Sequence, residues 1–181
     1  VAAELIGTFF LMFLGYASIV NDNKSGGSST HLGVSLVWGL ALMVLIYSLG
    51  HISGGHFNPA VTLAFATVRR FPLKDVIGYM VSQFVGSISA GFALRLLLGE
   101  EVQMAATVPK GSDMQSLLVE FLITFLLMFV ICSVATDTRA IGELAGLAVG
   151  ATIAIAVITV GPISGASLNP ARTVGSAVAG N

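Results

Sequence analysis

The chain has 181 residues, 55% hydrophobic and only 9% charged, with a formal net charge of −1 and a mean hydropathy of +0.93. A soluble domain of this length needs far more polar surface, so the composition implies an integral membrane protein. The near-zero charge gives no footing for nucleic acid or a strongly acidic partner, and the single cysteine, Cys132, excludes a disulfide framework or thiolate metal cluster within one chain.

Residues 1–20 predict a first span, interrupted only by Glu4, and without the basic flank of a cleavable signal. The Gly-, Ser- and Asn-rich segment 21–31 predicts a surface loop, and the uncharged run 33–50 a second span. Then comes Ser53-Gly-Gly-His-Phe-Asn-Pro-Ala-Val-Thr62, in which Asn58 is a good N-cap and Pro59 suits the first helical position. The helix it opens is short, 58–67, because Arg69, Arg70 and Pro72 follow; about ten residues give roughly 15 Å, half a membrane. A third span is predicted over 76–98 with Arg95 near its end, and 99–115 is the longest polar loop. A fourth span, 116–135, encloses Glu120; a polar link, 136–143, leads to a fifth, 144–160. The chain closes on Ser164-Gly-Ala-Ser-Leu-Asn-Pro-Ala-Arg-Thr173 and a second half-helix, 169–180. Its abrupt ends, in apolar or small residues, are those expected of a piece of a longer protein.

The second motif repeats the first, and the repeat is wider than the motifs: Glu4-x-x-x-Thr8-Phe9-x-Leu11-Met12-Phe13 recurs as Glu120-x-x-x-Thr124-Phe125-x-Leu127-Met128-Phe129. Residues 1–98 therefore read as a first repeat, three spans plus one half-helix. Residues 116–181 read as an incomplete second repeat, two spans plus the other. Three spans separate the two starts, and an odd number inverts the second half relative to the first. The fold class is all-α membrane protein, with two re-entrant half-helices entering from opposite faces and meeting by their N-termini. If the first span runs outward, Arg69, Arg70, Lys74 and Arg139 are cytoplasmic and Lys24, Arg95 and Lys110 lie outside, the sense the positive-inside rule favours. Gly78, Ser82, Gly86 and Ala90, and Gly146, Gly150 and Ala154, recur every fourth residue and read as packing stripes.

Non-helical backbone at membrane depth must be satisfied by protein or line a cavity. The carbonyls of Gly54, Gly55 and His56, and of Gly165, Ala166 and Ser167, are candidates for an acceptor ladder along a pore. If the Asn58 and Asn169 side-chain oxygens cap their helices, each amide NH2 is left to point into the lumen. There it would donate to passing water, while the half-helix dipoles add positive potential, so water would cross without a proton wire. Alone, either Asn-Pro reads as a cap and nothing more; the repetition favours the pore. Glu4 and Glu120 are costly in lipid and should face protein, accepting from the re-entrant backbone. Arg172 stands in the first turn of its half-helix, where the dipole disfavours a cation, and its counterpart in the first repeat is Val61. Trp38 admits two readings, interfacial belt or pore wall. His31, His51 and His56 have no metal-ligand spacing and no nucleophile motif is present, so neither a catalytic residue nor a cofactor is expected.

The paired motifs Asn58-Pro59-Ala60 and Asn169-Pro170-Ala171, with Arg172 after the second and an inverted repeat around them, resemble the aquaporin (major intrinsic protein) family over essentially the whole chain. Within it, His51–Thr62 and Ala135–Gly146 look most like the plant nodulin-type intrinsic proteins. The family has six spans and this chain reaches five, so the resemblance implies a missing sixth span and an open groove beside the second repeat. It implies a constriction of Trp38, Val157, Ala166 and Arg172, a set similar to the glycerol-permeable subgroup. The implied function is passage of water and small uncharged solutes such as glycerol, with protons and ions excluded. Ammonia, lactic acid and metalloid acids such as arsenous acid are alternative cargoes, and a junctional role in membranes is the rival reading. The resemblance further implies a homotetramer in lipid, in the plasma membrane or a specialised internal membrane of a plant cell.

Overall fold

The computed structural model describes residues 1–99 and 105–181. Among them the chain is all-helical, with five long apolar helices: α1 (Ala2–Lys24), α2 (Thr30–Ser53), α4 (Leu73–Leu98), α5 (Asp113–Ala135) and α6 (Ala145–Ser164). Two short helices, α3 (Pro59–Thr67) and α7 (Pro170–Gly180), follow the two Asn-Pro-Ala motifs, and one 3-10 turn, Gly142–Leu144, precedes α6. Nine and eleven residues make α3 and α7 roughly 14 and 17 Å long, so end to end they match a hydrocarbon core of roughly 30 Å.

Every long helix exceeds the apolar run that predicted it. Hydropathy marks the part immersed in lipid, whereas the backbone keeps its internal hydrogen bonds into the interface. Thus α1 continues through Asn21, Asp22 and Asn23, leaving only 25–29 as a turn, and α4 and α5 each start three residues early. At its far end α6 runs four residues past Val160, with Pro162 inside it. Proline has no N–H to give the carbonyl four residues back, that of Ile158, and the His31 Nε2 lies 3.2 Å from that oxygen. A side chain from α2 thereby serves the carbonyl the proline abandons.

Apolar helices in lipid gain nothing by merely hiding apolar surface, so they associate where small residues let backbones approach. Gly39 of α2 and Gly150 of α6 face each other: a Cβ on either would stand 2.5 Å from the other's carbonyl oxygen. Gly86 of α4 meets α1 similarly, with a Cβ there 2.6 Å from the Leu5 carbonyl oxygen, and Gly91 admits Ala179 of α7. The helix pairs are α1 with α4, α2 with α6, α1 with α2 and α5 with α6, while α4 also supports α3 and α7. In the first half α4 covers α1; the matching face of α5, with Leu117, Phe121 and Phe125, is exposed, as is Leu63 of α3.

Gly150→Ala should lower the unfolding temperature in detergent by several degrees, because overpacking costs about 1–3 kcal/mol and a carbonyl cannot swing aside. Gly33→Ala, whose Cβ would meet only Ser29 at 3.5 Å, should hold or raise it, alanine being better in a helix by roughly 1 kcal/mol. Thermal circular dichroism reads both.

Candidate functional site

The two loops leading into α3 and α7 are built alike. Each begins at a left-handed glycine that caps the preceding helix, Gly54 and Gly165, both at φ 87°. Each then turns through a non-glycine residue in the same region just before the asparagine, Phe57 at φ 47° and Leu168 at φ 53°. Such backbone costs on the order of 1–3 kcal/mol per residue and persists only where the surroundings over-determine it. Two carboxylates do so. Glu4, fully buried, accepts from Ser53 Oγ (2.7 Å) and the His56 N–H (3.0 Å) on one oxygen, and from the Phe57 N–H (2.7 Å) and Gln83 Nε2 (2.8 Å) on the other. Glu120 accepts from Ser164 Oγ (2.6 Å), the Ser167 N–H (2.8 Å) and the Leu168 N–H (2.9 Å). Hydrogen bonds to charged acceptors contribute roughly 1.5–3 kcal/mol each, enough to offset the strain.

The two asparagines join the halves. Asn58 Oδ1 accepts from the Ala60 N–H, and Asn169 Oδ1 from the Ala171 and Arg172 N–H groups, so each caps its own helix. Asn58 Nδ2 donates to the Leu168 carbonyl at 2.8 Å, and Asn169 Nδ2 donates to the Phe57 carbonyl at 2.9 Å. Sequence reasoning left each amide NH2 wholly to the lumen. The structure instead spends one of its two N–H groups on the opposite loop, because the half-helices meet N-terminus to N-terminus and bring each amide against a strained carbonyl. One N–H per asparagine remains, and both residues line a cavity of about 80 Å³. At roughly 10–15 Å³ of accessible volume per water, that holds a short file. Gly54, Gly55, His56, Ala166 and Ser167 also line it, and no described residue donates to their carbonyls.

A second cavity, of about 250 Å³, opens beyond the first and includes Gly165 in its lining. Trp38, Val157 and Arg172 border both cavities, and Ala166 borders the first. All four are buried. The Arg172 guanidinium carbon lies 4.7 Å from the Trp38 ring centroid, a cation–π separation. Arg172 Nε and Nη1 and Trp38 Nε1 have no partner among the described residues.

Several residues here escaped sequence reasoning. Tyr16 Oη donates to the Arg172 carbonyl at 2.6 Å and Ser87 Oγ to the Ala171 carbonyl at 2.6 Å, fixing the first turn of α7 from α1 and α4. Gln83 Nε2 also donates to Thr62 Oγ1 (2.9 Å), which lies 3.0 Å from His56 Nδ1. A glutamine inside an apolar span was the available signal, since it must turn inward. The longest polar loop, 99–115, partly folds in: Ala105 is buried, Thr107 Oγ1 donates to Thr173 Oγ1 (3.0 Å), and the Lys110 N–H donates to the Ile163 carbonyl (2.9 Å). Its apolar stretch Ala105-Ala106-Thr107-Val108 makes burial favourable, and three of these residues line the second cavity. Residues 100–104 of that loop lie outside the described residues. At the opposite mouth Arg70 Nη1 donates to the Thr136 carbonyl at 3.3 Å, and the Arg139 guanidinium beside Asp137 holds its carboxyl below the usual range.

The Major intrinsic protein family model matches residues 1–181. Aquaporin NIP1-3 of Oryza sativa subsp. japonica is 58% identical over 179 residues, covering 98% of this chain and 63% of that protein. Nodulin-26 of Glycine max is 55% identical over 176 residues, covering 97% and 65%. The chain thus spans less than two thirds of the length of these relatives. The X-ray structure of the aquaglyceroporin from Plasmodium falciparum superposes with a TM-score of 0.81 at 25% identity, covering 97% of this chain and 78% of that one.

Removing either carboxylate strands backbone N–H groups at membrane depth. Glu4→Ala leaves four donors without their acceptor and Glu120→Ala three. Each buried donor left unsatisfied costs roughly 1–3 kcal/mol. Both variants should lose most of their monodisperse fraction on size exclusion in mild detergent, Glu4→Ala more severely.

Proposed function

The chain belongs to the major intrinsic protein family, and we propose that it forms a passive transmembrane channel for water and small uncharged solutes such as glycerol. The observation that carries this reading is the reciprocal bridge of Asn58 and Asn169 between two half-helices that meet by their positive ends. Repeats 1–98 and 116–181 each supply one carboxylate, one strained loop and one half-helix. Acceptor carbonyls of Gly54, Gly55 and His56 on one side, and of Gly165, Ala166 and Ser167 on the other, lead water to the midplane. There the two remaining amide N–H groups donate to it. A water held by two donors orients its own hydrogens away along the file, so the proton wire breaks, and the converging dipoles repel cations. No step needs a catalytic residue, metal or cofactor.

Selection falls to Trp38, Val157, Ala166 and Arg172. Val157 and Ala166 leave one side small and apolar, the Trp38 ring adds an apolar wall, and Arg172 contributes fixed donors. A polyol has a CH face and an OH face to match. Similarity to the aquaglyceroporin of Plasmodium falciparum supports this choice of cargo.

Stopped-flow light scattering on proteoliposomes of the whole protein tests the reading. Water and glycerol permeability should both exceed those of empty liposomes, and permeation of ammonia alone would redirect the assignment. Trp38→His should cut glycerol flux roughly tenfold more than water flux, a pocket change of this size being worth 10–200-fold. Arg172→Val should loosen the exclusion of cations without abolishing it, since the midplane barrier remains but the outer positive charge is gone. The whole protein is further proposed to be a homotetramer, one pore per subunit. Sedimentation of monomer alone, in a detergent that preserves transport, would contradict that assembly.

A further inference from the structure

Glycine inside a helix weakens it relative to alanine, yet α1 carries glycine at 7 and 15 on its inward stripe. Both seats are taken by aromatic rings of the other elements. A Cβ on Gly7 would overlap the Phe57 ring, and one on Gly15 would overlap Cζ2 and Cη2 of Trp38 and stand 2.5 Å from its Cε2. The Trp38 six-membered ring therefore lies directly on the α1 backbone. Also against the ring are the Arg172 guanidinium carbon, 4.7 Å from the centroid, and Tyr16, with ring centroids 6.0 Å apart and planes at 70°.

We propose that Gly15 is a positioning residue for solute selection: lacking a side chain, it seats Trp38 in the wall between the two cavities and so sets the aperture there. The inference rests on the channel reading above and adds a residue to it.

The direction in which the ring would yield follows from what holds α1. Behind, α4 is packed against it so closely that a Cβ on Gly86 would stand 2.6 Å from the Leu5 carbonyl oxygen. Beside Gly15, the Tyr16 hydroxyl is tied to the Arg172 carbonyl at 2.6 Å. Helix α1 cannot retreat, so an added methyl moves the indole instead. Trp38 borders the cavities on both sides of the constriction, and that open space is where the ring goes. The aperture narrows for a solute as wide as a polyol before it closes to single-file water.

Trp38 is the single tryptophan of the sequence, which makes the seat directly observable. In protein carrying Trp38 as its only tryptophan, Gly15→Ala should raise acrylamide quenching and cut the glycerol-to-water permeability ratio roughly tenfold. The Gly15→Ala/Trp38→Phe double variant should show the ratio of Trp38→Phe alone, because the smaller ring leaves the methyl nothing to push. If Gly15→Ala fails to fold, restored folding in the double variant supports the seat, and no restoration overturns it. Unchanged quenching and ratio in folded Gly15→Ala overturn it too, as do effects of the two substitutions that simply multiply. If wild-type protein passes neither solute above empty liposomes, the channel reading fails. Quenching still decides whether Gly15 seats Trp38, and an unchanged value then sinks the inference.

Discussion

Everything in this fold depends on satisfying non-helical backbone where water is scarce. Two loops break their helices inside the bundle, exposing N–H groups that lipid cannot serve, and each unserved group costs several kcal/mol. Glu4 and Glu120 meet that need from the inward faces of α1 and α5, each taking consecutive backbone N–H groups onto its two oxygens. A carboxylate in an apolar span is expensive by itself. Here its cost and the cost of the loop cancel, which is why the two features occur together in both halves.

With their N–H groups anchored to the helical frame, the loops are free to aim their carbonyls elsewhere. Phe57 and Leu168 aim theirs at the asparagine of the opposite half. The bridge is an electrostatic compromise. Half-helices meeting by positive ends repel, and a pair of neutral amides shared across the junction holds them together without a counter-charge that would trap a cation. What remains at the junction is one N–H on each asparagine amide, a pair of donors facing the cavity that both residues line.

Packing provides the rest through the absence of side chains. Gly39 against Gly150, and Gly86 against Leu5, let helix backbones touch. Gly7 and Gly15 let aromatic rings rest on α1. In lipid close approach substitutes for the hydrophobic effect, so a methyl group at any of these positions meets backbone or an aromatic ring rather than open space.

The sequence by itself determined the five apolar spans, the two half-helices and the inverted repeat, because hydropathy, helix-start chemistry and a duplicated motif are local or periodic signals. It also pointed to Glu4, Glu120 and Arg172, since a charge in an apolar run advertises its cost. Only the tertiary structure decided how the asparagine amides divide their two N–H groups, because that depends on where the opposite loop's carbonyl lies, more than a hundred residues away in sequence. It alone set Tyr16 under Arg172, folded Ala105 inward, and gave the Ile158 carbonyl to His31 once Pro162 had released it. The seat of Trp38 on Gly15 is of the same kind. A glycine in an apolar helix carries no mark of the ring it accommodates until two helices are laid against each other.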